Sequence, residues 1–225
     1  ALEQARQRNL KDLAASFAAS EMLLKASCGL CRQARQEAKA ALALSRVGLA
    51  RAAVPSLPGV AFALALCGEV TEAQKLADEL ARQYPKATMV NAVFLPLIHA
   101  TSELHRENAN RAVQLLEAAT RYESAVGWWP TYVRGQAYLR LNQGGAAAAE
   151  FQKILDHPGW GPYPFSIFHG LSQLGLARST ALIGDRAKTR QAYENFFAAW
   201  QDADADLPIL IEAKQEFAKT LARTK

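Results

Sequence analysis

The feature that most restricts this chain is a spacing of small and aromatic residues between Tyr132 and Pro158. Gly135 is followed three residues later by Tyr138, Ala147 is followed four later by Phe151, and Pro158 closes the run. Two antiparallel helices approach closely only where both present small side chains, so Gly135 and Ala147 mark the contact. Tyr138 and Phe151 are expected to fill the space beside it, and proline ends the second helix. One such match is moderately specific, and an ordinary helical hairpin is the alternative to it. The argument for an array is recurrence: turn signals at Gly29, Gly68, Glu107, Asn142 and Gly184 lie 39, 39, 35 and 42 residues apart, each flanked by helical periodicity.

The hairpins are expected at about 2–45, 54–85, 87–121, 127–156 and 163–201, with residues 204–225 supplying a C-terminal capping helix. Residues 2–27 read as one long helix through Leu10, Leu13, Phe17, Met22 and Leu23. A second runs from Cys31 to Leu44 with Ala34, Ala38 and Ala41 inward. Gly48 to Gly59, holding Pro55 and Pro58, is the least regular stretch. Later helices are expected at Val60–Cys67, Val70–Tyr84, Thr88–His105 (kinked by Pro96), Asn110–Thr120, Tyr163–Ile183 and Arg186–Trp200. Asp206 is placed to cap a final helix at Pro208–Ala222. Half of the residues are hydrophobic, and these are chiefly Ala and Leu with few β-branched side chains, which favours helix over strand. The expected class is all-α, an α-α superhelix.

The spacing resembles the tetratricopeptide repeat, whose ideal period is 34 residues. Thr131 and Arg134 stand where that pattern has Trp and Leu, and Pro158 arrives one residue early. Nearly the whole chain looks like the tetratricopeptide tail of bacterial, especially acidobacterial, serine/threonine protein kinases and membrane-spanning winged-helix regulators. The segments that carry this likeness include Gly68-Glu69 with Ala73, Leu76 to Ala81 and Tyr84-Pro85; Ala112 to Glu117; Tyr132 to Gly135 with Ala137 to Leu139; and Phe151 to His157. It continues through Gly184-Asp185, Tyr193 with Phe196-Phe197, and Asp202 to Leu210. The sequence departs from it at Thr180 and Thr189, where Tyr and Ala are usual, and looser packing is expected there. The resemblance implies a repeat array beyond a membrane helix, on the far side from the catalytic or DNA-binding domain, and hence an extracytoplasmic setting.

Catalytic chemistry has few footholds. No phosphate-cradling glycine loop, G-x-S-x-G elbow or kinase signature is present. His99, His105, His157 and His169 never fall at helical ligand spacing. Asp202, Asp204 and Asp206 imitate a calcium loop, but Leu207 and Ala213 stand where Gly and Glu are required. Cys28-Gly-Leu-Cys31 is a C-x-x-C without the βαβ context of a redox motif or the second ligand pair of a zinc site. Its cysteines read as small packing residues or as a local Cys28–Cys31 disulfide, with Cys67 free and buried. No cofactor or metal is expected. No apolar run reaches the roughly 18 residues of a membrane span. The chain opens on Ala1 without an initiator Met or a charged-then-apolar leader, which reads as a mature or excised piece.

The remaining expectation is binding. Carrying the groove-facing offsets of the repeat onto this sequence gives Phe94, Leu97, Thr101 and His105 in the third hairpin. The fourth gives Trp129, Tyr132, Gln136 and Arg140, and the fifth gives Leu171, Leu174 and Arg178. Trp129 and Tyr132 read equally well as packing residues. The Lys and Asn pattern that clamps a C-terminal carboxylate in chaperone-binding members is absent, so aromatic and Arg groups suggest a peptide with apolar anchors and a polar or acidic group. The aromatic run His157 to Phe165 reads as a packed connector or a lip over that groove. The expected function is a non-catalytic protein- or peptide-interaction module, a sensor or scaffold. A net charge of +5 keeps a nucleic-acid-binding repeat as the alternative, although only Arg140 and Arg178 recur on one face. An enzyme of unrecognised type is the third reading, and oligomeric state is left open.

Overall fold

The computed structural model describes residues 1–45, 56–158 and 167–222. Among them the chain is all-helical, without a strand. It divides into two compact units, Ala1–Arg106 and Glu107–Lys225, and the boundary falls at the third expected turn.

The five expected turns share one backbone feature. Gly29, Gly68, Glu107, Asn142 and Gly184 all have positive φ, between 56° and 86°. Around Gly68, Glu69 N–H donates to the Leu64 carbonyl and Gly68 N–H to that of Ala65; Gln143 and Asn142 do the same to Tyr138 and Leu139. These six-to-one and five-to-two bonds satisfy carbonyls that a helix end leaves open. A left-handed residue is what allows the chain to reverse there.

In the first unit, α1 (Leu2–Gln7) and α2 (Lys11–Ser27) replace the single helix expected over residues 2–27. Asn9, at φ 55°, ends α1, and Leu10 N–H closes back on the Ala5 carbonyl. Asparagine tolerates that conformation, so an apolar spacing that looks continuous is broken. Then come α3 (Cys31–Ser45), α4 (Ser56–Leu66) and α5 (Val70–Gln83). A π-helical turn, Val90–Phe94, leads into α6 (Leu95–His105). Pro96 sits in the first turn of α6, where a missing N–H costs least. Asn91 anchors the wide turn by donating to the Tyr84, Pro85 and Ala87 carbonyls. Buried from Ser56 to Ala65, α4 packs on α2, α3, α5 and α6. The irregular stretch before it lies, over residues 46–55, outside the described residues.

The cysteines depart from expectation. Cys31 is bonded to Cys67, with Cα atoms 5.3 Å apart, so neither the local Cys28–Cys31 bridge nor a free Cys67 is present. Cys31 opens α3 and Cys67 follows α4, and the packing of those two helices brings them within disulfide range. Cys28, on the other side of the Gly29 turn, is the free cysteine and is buried, as a small packing residue would be.

The second unit comprises α7 (Ala109–Leu116), a 3₁₀ segment (Glu117–Val126), α8 (Trp129–Arg140), α9 (Gly144–Leu155), α10 (Ile167–Ile183), α11 (Arg186–Ala199) and α12 (Pro208–Ala222). The helix expected through Thr120 thus tightens after Leu116. Gly127 and Trp128 are both left-handed, at φ 62° and 67°, and redirect the chain into α8. Since α12 begins at Pro208, Leu207 rather than Asp206 holds the cap position; its carbonyl accepts from Leu210 and Ile211. Most of the aromatic run after His157 and the start of the fifth hairpin fall in residues 159–166, so those expectations lie outside the described residues.

Phe151 is the pivot of this unit. A Cβ built on Gly135 would lie 2.8 Å from its ring, and one on Gly175 only 2.5 Å. Glycine is required there by close approach: α8 and α10 both press on one buried phenyl group of α9. Tyr132, rather than Tyr138, meets that ring edge-on at 5.8 Å. Thr180 and Thr189 do not loosen the last hairpin. Both are buried, and the Thr189 hydroxyl donates to that of Thr180 at 3.1 Å.

Candidate functional site

Most of the residues read as a groove prove to be core. Phe94, Leu97 and Thr101 are buried in the first unit, and the Thr101 hydroxyl donates to the Leu97 carbonyl at 2.8 Å. His105 is exposed, its ring nitrogen 3.1 Å from the Leu66 carbonyl and its edge against Gly68. In the second unit Trp129 and Tyr132 are buried, and both pack on Phe168, at 6.4 and 4.6 Å between ring centroids. Leu171 and Leu174 are buried too. Gln136 is half-buried, Arg140 exposed and Arg178 half-buried. The physical reason lies in α8, which is buried from Trp129 to Gly135 and again at Ala137. The repeat offsets assume one open face on each first helix, whereas α8 is enclosed by α7, the 3₁₀ segment, α9 and α10.

Two polar clusters stand out within the second unit. In the first, Arg134 Nε and Nη2 donate to Glu150 at 3.0 and 2.6 Å, and Nη2 also lies 2.6 Å from Glu123 Oε1. Lys153 donates to Glu123 Oε2 at 2.6 Å and lies 5.5 Å from the centroid of the Trp128 ring, which is tilted against His157 at 4.9 Å. Burial alone would push the Arg134 guanidinium pKa down, but Glu150 and Glu123 together raise it. Among the described residues Arg134 Nη1, Thr131 Oγ1 and Trp128 Nε1 are buried without a hydrogen-bond partner. The cluster holds the 3₁₀ segment to α8 and α9, with Glu123 and Arg134 buried and Lys153 at its exposed edge.

The second cluster floors a cleft of about 730 Å³ lined by residues of α8, α10, α11 and α12. Its volume is that of a small-ligand or side-chain pocket. Arg178 donates through Nε and Nη2 to the two oxygens of Glu216, each at 3.0 Å, and Nη2 lies 3.2 Å from Glu212. Tyr193 donates its hydroxyl to Glu216 Oε2 at 2.9 Å. Burial and the neighbouring Glu216 carboxylate push the Tyr193 pKa well up, so the phenol keeps its proton. Burial opposes the charge on Arg178 as well, but Glu216 and Glu212 raise its pKa overall. The walls are aliphatic, with Leu139, Ala181 and Ala222 joined by Leu182, which is 47% exposed.

Of the groove residues expected from the sequence, only Arg178 lines this cleft; Arg140 adjoins its wall residue Leu139. Tyr193 was legible as an inward aromatic, but Glu216 and Lys219 had no signal beyond an amphipathic last helix. Among the described residues no group of three or more His, Cys, Asp or Glu side chains gathers as a metal site would, and no helix is long and apolar enough to cross a membrane. No protein-family model, curated protein or solved structure matches the chain.

Proposed function

We propose that this chain is a non-catalytic interaction module, a sensor or scaffold with tetratricopeptide-like superhelical repeats, and that it takes a peptide or protein segment in the cleft over Arg178 and Glu216. The observation that carries the reading is the cleft itself, where exposed aliphatic walls stand over a polar floor whose members satisfy one another. Covering such a floor leaves no charge without its partner, which avoids the largest cost of burying an ion pair. Helices that pack on their near neighbours in sequence, joined by left-handed turns at 35- to 42-residue intervals, support the repeat reading. In keeping with the family resemblance, the module would be the tail of a membrane-anchored serine/threonine kinase or transcription regulator. The ion pairs favour a peptide over nucleic acid, since Arg178, one of the two cations recurring on the expected face, is already engaged by two carboxylates.

The test is selection of a random displayed peptide library on the whole chain, followed by hydrogen-exchange mapping of each binder. Binders that protect α10 and α12, and that lose affinity when Leu182 is changed to Asp, are the expected result. A library that yields none, or binders that map away from both helices, would refute the reading.

A further inference from the structure

Resting on that reading, we infer that the occupant of the cleft is an acidic peptide segment carrying one bulky aliphatic side chain. The chemistry follows from which groups are already used. Glu216 accepts from Arg178 at both oxygens and from Tyr193 at one, while Arg178 is shared between Glu216 and Glu212. The floor therefore offers no unspent charge to a ligand, and a side chain entering there meets Leu139, Ala181, Leu182 and Ala222. These walls are aliphatic or small, and the aromatic wall residue, Tyr193, is 2% exposed. A leucine- or isoleucine-sized anchor suits them better than an aromatic ring, which would find no open face to stack on.

One charge on the wall is unspent. Lys219 lies on α12, three residues and just under one turn beyond Glu216, is exposed, and has no ion-pair partner among the described residues. Its long stem can cover apolar surface while its ammonium reaches a ligand at the edge. An Asp or Glu beside the anchor would meet that ammonium, and the chain's net charge of +5 favours approach of an acidic partner. Glu212, 59% exposed on the same helix, would repel an acid placed on its side of the cleft. The acid of the ligand therefore belongs at the Lys219 end, which gives the bound segment one direction.

The experiment uses the library-selected peptides and the whole chain with Lys219→Glu or Lys219→Gln, two substitutions at one exposed position whose folding is checked by circular dichroism. The expected consensus pairs Asp or Glu with Leu or Ile. Lys219→Glu should weaken binding by tenfold or more, Lys219→Gln by less, and raising the salt concentration should weaken the parent protein alone. Peptides that occupy the cleft with a basic or uncharged consensus, or whose affinity is within twofold for Lys219→Glu, overturn this inference while leaving the interaction-module reading intact. Failure of every peptide to map to α10 and α12 overturns both.

Discussion

The two units hold their helices together by different means. In the first, small side chains let the helices meet closely, with Ala14, Ala15, Ala19, Ala61, Ala63 and Ala65 all buried, and a covalent bridge ties α3 to α4. In the second, a few large groups do the work: Phe151 between two glycines, rings around Tyr132 and Phe168, and the buried Arg134–Glu123–Glu150 cluster. Alanine contacts bury little area per residue, so helices that meet through them, beside larger groups such as Met22, Leu57 and Phe62, gain from a cross-link that restricts the unfolded chain. An aromatic pivot buries more area and fixes geometry, but it concentrates the stability in one side chain.

The largest test of that contrast is Phe151→Ala, expected to cost roughly 3–5 kcal/mol in denaturant unfolding through the cavity it leaves. Removing the Cys31–Cys67 bridge by a double change to serine should cost nearly as much. Its sequence separation of 36 corresponds to about 4 kcal/mol of loop-closure entropy. Thiol titration checks the assignment first: without reductant the folded protein should show one slowly reacting thiol, Cys28, whose pKa burial raises. Two fast thiols would mean that the bridge is absent and that the contrast between the units fails.

A smaller effect tests how tightly Phe151 is held. Gly175→Ala should cost on the order of 1–2 kcal/mol, and Gly135→Ala less, because the 2.5 Å approach is closer than the 2.8 Å one and alanine's helix propensity offsets part of each. The ring can yield to one new methyl only by moving toward the other glycine. The double variant should therefore lose more than the sum of the singles, a coupling that a double-mutant cycle reads directly. Simple additivity would show that the ring has room to move and is not a pivot.

What the sequence revealed about this molecule was its local chemistry. Glu107 was placed by the break in helical periodicity around it, whereas the other four turns were legible because a left-handed residue after a helix is encoded by the residue itself, Gly or Asn. Asn9 carries the same signal, but a continuous apolar spacing masked it. Trp128 carries none, because a bulky aromatic seldom adopts positive φ. Phe151 and Gly135 were legible because the helix contact requires their sizes, whereas Gly175 was missed because its partner lies 24 positions away, on another helix. Burial of Trp129 and Tyr132 depends on how many neighbours α8 acquires, which periodicity does not encode. The pairing of Cys31 with Cys67 and of Arg178 with Glu216 likewise belongs to the packing of separate helices.

The smallest expected effect separates the units by their response to pH. In the second unit the buried charges are compensated, with Arg134 and Arg178 each facing two carboxylates and holding a raised pKa. In the first unit His99 is half-buried, and burial lowers its pKa from the ordinary 6.5; Arg106 pushes the same way, while Asp78 and Glu103 partly oppose it. A histidine whose folded pKa is depressed binds its proton more readily after unfolding. Its contribution to stability is complete above pH 6.5, where both states are neutral, and is lost as the pH falls through 6.5 toward the folded value. Denaturant midpoints measured from pH 8 to pH 5 should therefore decline, and the decline should be shallower in His99→Gln. Parallel declines in the two proteins would assign the pH response elsewhere and remove His99 from the contrast.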